Sequence, residues 1–177
     1  MREIRARVDS GEMRPALRQS SLVAGLLGVI FASAAAALMT AQADNPQIGF
    51  WKMNMTKSKF SAGTGFKSAT SRIEAVDGGV KHTVDSVYFD STSRRYSYTT
   101  KYDGKDMPVA GNSPYGDSTA ISHVDMNTTR TVYKNKGQVT VIQISVVSPD
   151  RKTRTVTTKG TNPAGQAVDN LSVYDRQ

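Results

Sequence analysis

The sequence predicts an all-β fold: a single antiparallel meander barrel of about 8–10 strands that follows a cleaved N-terminal signal peptide. Three observations carry this reading. An apolar leader ends in a signal-peptidase pattern just before Asp44. Beyond it the chain becomes a series of short runs rich in Val, Thr, Tyr and Ile, with no long segment of helical periodicity. Glycine, asparagine, aspartate and proline punctuate those runs at hairpin spacing.

In the leader, Leu22 to Met39 form an uncharged apolar and small-residue run, preceded by Arg14 and Arg18 and followed by Ala41-Gln42-Ala43. Small-x-small at that place is what a signal peptidase reads, so cleavage before Asp44 is expected. The organisation is then a signal peptide over 1–43 and a barrel domain over 44–177, with a periplasmic or secreted location. Translation can start at Met1 or at Met13, the latter giving an n-region of ordinary length. The apolar run approaches a bilayer span, but the cut site and the alanine-rich tail argue for removal. The chain has no cysteine, which excludes disulfides, thiolate catalysis and a lipoprotein anchor.

The formal charge is +8, and because the leader holds five arginines against three acids, +6 remains beyond it. Lys52, Lys81, Lys101, Lys134 and Lys159 are dispersed rather than clustered. Dispersed lysines describe a solvated surface, so nucleic-acid binding is not expected, and membrane contact is at most peripheral. One domain of this length buries enough surface to stand as a monomer without staples.

Strands are expected near 48–54, 67–76, 80–89, 94–102, 105–110, 117–124, 128–134, 138–148, 153–160 and 167–175, with about one turn of helix near 55–66. Asp77-Gly78-Gly79, Asp103-Gly104 and Lys136-Gly137 supply the positive φ that tight hairpins need, while Pro149-Asp150 and Pro163-Ala164-Gly165 begin turns with a fixed φ. Pro108 lacks a ladder donor, which marks 105–110 as an edge or a strand end. Alternation puts Tyr96, Tyr98 and Tyr102 on one face, opposite Arg95 and Lys101. It likewise puts Val80, His82 and Val84 together. The run Val139 to Val147 is apolar on both faces and is expected to be the most enclosed strand.

Gly49-Phe50-Trp51-Lys52-Met53-Asn54 at the head of such a meander resembles the Gly-x-Trp entry of the lipocalin and fatty-acid-binding (calycin) superfamily. The closing Ser172-Val173-Tyr174-Asp175-Arg176 resembles the last strand of fatty-acid-binding barrels, where an arginine and a tyrosine two residues apart hold the ligand carboxylate. Tyr174 matches that tyrosine, and Ser172 stands where the arginine would be. A more specific likeness, to small exported bacterial proteins, rests on Trp51-Lys52-Met53-Asn54, Lys57-Ser58-Lys59-Phe60 and the run Tyr102 to Asn112. It implies a fold and no activity.

Chemistry-bearing constellations are sparse. His82 and His123 are the only histidines, so a three-histidine metal site is excluded, and no cofactor motif occurs. No Gly-x-Ser-x-Gly elbow is present, and the aspartates sit in turns where they serve the backbone. No catalytic or metal-binding residue is therefore assigned. Trp51 reads as a plug for one barrel end. The three phenols of Tyr96, Tyr98 and Tyr102 suit either a pocket or an outer aromatic ladder. Arg130 and Arg154 are the strand cations, for which a solvated position is the ordinary one. The candidate ligand-binding set is Tyr96, Tyr98, Tyr102, Arg154, Ser172 and Tyr174. The expected function is binding of a small apolar or amphipathic molecule. Since Ser172 carries no charge, a fatty acid and its methyl ester are expected to bind within about tenfold of each other, that is within ~1.4 kcal/mol. The alternative is an envelope interaction or stress protein with a side-chain-filled interior, and interior volume separates the two.

Overall fold

The computed structural model describes Asn45–Gln177; the leader and the cleavage point before Asp44 lie outside those residues. The strands are β1 Gly49–Met53, β2 Phe66–Val76, β3 Gly79–Tyr88, β4 Ser93–Thr100, β5 Asp103–Pro108, β6 Ala110–Gly111, β7 Ser118–His123, β8 Thr128–Asn135, β9 Gln138–Val147, β10 Thr153–Thr161 and β11 Ala167–Arg176. All pairings are antiparallel, in one eleven-stranded sheet of order β5-β7-β8-β9-β10-β11-β1-β2-β3-β4-β6. The only helix among the described residues is a 3-10 turn over Met55–Lys57, capped by Asn54, whose side-chain oxygen accepts from the Lys57 N–H at 3.2 Å.

The sheet is nearly closed by one segment shared between its margins. Residues 103–111 run from β4 towards β7; β5 pairs with β7 and β6 with β4. Val109 N–H donates to Asp117 O and Asn112 N–H to Arg95 O, both at 2.8 Å, so the segment is held on both sides. A closed sheet leaves few unpaired edge groups. Pro108 ends β5 as its missing donor requires. The expected hairpin at Asp103-Gly104 does not form, because β4 and β5 are not ladder partners. The chain turns earlier, with Tyr102 at φ 58, and Gly104, at φ 74, lies in a register shift of β5. By contrast Lys136 and Gly137, at φ 51 and 80, form the tight turn expected between β8 and β9.

Strand parity decides what faces inward. His82 pairs with Tyr98 and Val84 with Tyr96, so the face predicted for Val80, His82 and Val84 is the interior one. Val139 to Val147 departs from expectation. The inward residues of β9 are Val141, Gln143, Ser145 and Val147, whereas Ile142, Ile144 and Val146 look outward, and Val139 and Val146 are exposed. The strand is enclosed on one face only, and its inner face carries the polar side chains.

Two apolar clusters fill the barrel. One gathers Trp51, Met53, Phe66, Ile73, Val147, Val156 and Tyr174; the other gathers Tyr96, Tyr98, Tyr115, Ile121, Tyr133, Val141 and Val168. Also buried are Ser71, His82, Thr131, Ser145, Arg154, Thr158, Asn170 and Ser172. This core is unusually polar for a small domain.

Candidate functional site

The site is built around Arg154. Pairing of Val156 with Ser172 on one side and Ser145 on the other fixes the parity of β10, so Arg154, Val156 and Thr158 point inward while Thr155 and Thr157 point out. Arg154 is 8% exposed. Its Nε donates to Ser145 Oγ at 2.8 Å and its Nη1 to Ser71 Oγ at 3.0 Å. Tyr174 stands directly opposite it in register, with the guanidinium 5.6 Å from the ring centre. The ion pairs among the described residues involve other groups, such as Lys134 with Asp106 and Arg95 with Asp85, and none includes Arg154. A guanidinium keeps its charge, and burial without a counter-ion costs several kcal/mol. The solvated position expected from sequence is thus corrected for Arg154, whereas Arg130 is exposed as expected.

A hydrogen-bond relay ties this arginine to the chain entry. Ser145 Oγ, having accepted from Arg154, donates to Gln47 Oε1 at 3.0 Å, and Gln47 Nε2 donates to Asn127 O at 2.9 Å. Trp51, fully buried, donates through Nε1 to Gln47 O at 2.9 Å. Arg176 lies 4.2 Å over the Trp51 ring and donates to the carbonyls of Arg151, Ile48 and Pro46. Trp51 is thus enclosed at the chain entry, covered by Arg176. Gly49 is required here: its φ is +152, and a Cβ would stand 2.4 Å from Arg176 Nη1.

All seven tyrosines of the chain pack in or against the interior. Tyr96 and Tyr98 are buried on β4, which settles them as inward residues rather than an outer ladder. Tyr102 lies past the end of β4, so its phenol reaches the interior from the turn and not from the strand face. His82 joins them: its ring stacks on Tyr98 with centres 4.9 Å apart, its Nε2 is 3.0 Å from Tyr102 Oη, and its Nδ1 is 3.5 Å from Tyr98 Oη. Tyr133 Oη donates on to Tyr98 Oη at 3.4 Å. Tyr102 also packs on His123, ring centres 4.3 Å apart. Burial first, and the Arg154 charge second, push the His82 imidazole down to about 3, so it is neutral and offers one donor and one acceptor. Burial likewise raises the phenols of Tyr96, Tyr98 and Tyr174, keeping them protonated donors.

The interior is mostly filled. A cavity of about 30 Å³ remains, lined by Phe66, Ala69, Val84, Ser86, Tyr88, Tyr96, Pro114, Tyr115, Gln143, Val156, Thr158, Ser172 and Tyr174. That is room for roughly one or two waters. Tyr88 Oη is buried there with no hydrogen-bond partner among the described residues. A larger hollow of about 360 Å³ against β2, β3 and β4 is open to solvent and edged by Arg94, which lies over the Tyr88 ring, and by Arg95 and Asp85, which pair with each other at 3.4 Å. The enclosed cavity is where unpaired chemistry sits.

Of the sequence-derived set, Tyr96, Ser172 and Tyr174 line the cavity, Arg154 faces Tyr174, and Tyr98 and Tyr102 bracket His82 away from it. Sequence reasoning missed Tyr88, Tyr115, Tyr133, Ser71, Ser145 and Gln47. Tyr88 shares the parity of Val80, His82 and Val84, a signal that was present; Gln47 precedes the first strand and carries none. Among the described residues no group of three or more His, Cys, Asp or Glu could hold a metal. No family model, no curated protein and no solved structure matches the chain.

Proposed function

We propose that the domain is a calycin-like binding barrel for a small amphipathic molecule bearing a carboxylate or similar anion, exported to the periplasm or beyond. One observation carries this reading: Arg154 is buried against neutral partners, Ser145, Ser71 and the Tyr174 ring, without a carboxylate among the described residues. A charge kept at that expense is explained if a ligand supplies the counter-ion. The expectation of a charge-blind site rested on Ser172; Arg154 brings a guanidinium to Tyr174 from the neighbouring strand instead. The polar lining also supports an amphipathic ligand over a purely apolar one.

The test is a binding titration with benzoate, hexanoate and their methyl esters. The acids should bind at least tenfold more tightly than the esters, and Arg154→Met should erase the difference; equal binding of acid and ester to the native protein would contradict the reading. A second reading, a filled barrel that works through its outer face, is favoured by the small cavity and by the outward stripe of Ile142, Ile144 and Val146. It predicts that none of the four compounds binds.

A further inference from the structure

The cavity lined by Tyr174, whose ring also meets the Arg154 guanidinium, has a chemistry of its own. Its enclosed volume is about 30 Å³, whereas pockets that take drug-sized ligands run to roughly 300–1,000 Å³. Every ligand must therefore displace side chains, and the displacement grows with ligand length. Ser86, Gln143, Thr158 and Ser172 line this space, and Tyr88 Oη has no hydrogen-bond partner among the described residues. An alkyl chain laid against Tyr88 Oη leaves that hydroxyl buried without a partner, which is unfavourable. A ligand with a hydroxyl of its own supplies that partner, and its ring finds flat partners in Tyr96, Tyr115 and Tyr174. Tyr174 joins the two regions, since it lines the cavity and faces the Arg154 guanidinium.

We infer that the ligand is a short, hydroxyl-bearing carboxylic acid with a compact ring, and not a long-chain fatty acid. This rests on the carboxylate-binding reading above and names its ligand class. Its head sits on Arg154 beside Tyr174, and its distal hydroxyl pairs with Tyr88.

The experiment is a calorimetric titration of the protein with 4-hydroxybenzoate, benzoate and decanoate, repeated on Tyr88→Phe. That variant removes only an unpaired hydroxyl and is expected to fold as the native protein does. The native protein should prefer 4-hydroxybenzoate to benzoate and to decanoate by at least tenfold, and Tyr88→Phe should reduce the preference over benzoate to less than threefold. Tighter binding of decanoate, still dependent on Arg154, would overturn the ligand class and leave the carboxylate reading standing. An unaltered hydroxyl preference in Tyr88→Phe would overturn the assignment of Tyr88. Binding of none of the three acids would overturn both.

Discussion

Lowering the pH from 7 to 4 should destabilise the domain by about 3 kcal/mol, and one side chain should account for most of it. His82 takes up a proton near 6.5 when the chain is unfolded, but in the folded barrel burial and Arg154 hold it down to about 3. Between those values the unfolded state binds the proton and the folded state does not, so stability rises with pH across the window and is lost as pH falls through it. The aspartates with depressed values, Asp90, Asp117, Asp125 and Asp150, act in a lower window, below the ordinary 3.8. Urea unfolding at intervals from pH 7 to pH 4 reads the effect. In His82→Gln, which keeps a donor and an acceptor for Tyr98 and Tyr102, the slope should largely vanish. An unchanged slope in the variant would assign the acid sensitivity elsewhere.

Replacing Arg154 by methionine should stabilise the ligand-free protein by about 1–3 kcal/mol, against the usual direction of core substitutions. Methionine fills similar volume, and the desolvation of an unpaired guanidinium disappears. The loss is limited: Ser145 still donates to Gln47, and the Ser71 hydroxyl gives up one incoming hydrogen bond. The same change should abolish stabilisation by added carboxylate, which for the native protein grows by about 1.4 kcal/mol per decade of ligand above its dissociation constant. Denaturant unfolding of both proteins, with and without benzoate, measures both effects. Destabilisation of the methionine variant by several kcal/mol would mean that Arg154 is a structural support and not a ligand anchor.

Much of the fold was legible because strand periodicity and turn chemistry are local. The runs from Gly79 to Tyr88 and from Thr153 to Thr161 lie within a residue of their predicted bounds, and Lys136-Gly137 turns as its residue types require. Closure was not legible, since which strand residues 103–111 join depends on where β4 and β7 come to lie in the finished barrel. The facing of Val139 to Val147 failed for a related reason. Hydrophobicity usually marks the inner face, but here the interior takes polar side chains beside its apolar clusters, and Gln143 and Ser145 look in with Val141 and Val147 while Ile142, Ile144 and Val146 look out. Arg154 stands in the candidate set, but its burial was not legible: its type says surface, and only its register opposite Tyr174 says otherwise.

The proposal that Arg154 binds an anion inside the barrel is tested by crystals of the domain soaked with 4-bromobenzoate and measured at the bromine absorption edge. An anomalous peak is expected inside the barrel, with the carboxylate on Arg154 and the ring against Tyr174. Bromine found only on the outer surface, at a concentration where benzoate stabilises the protein in solution, would contradict it.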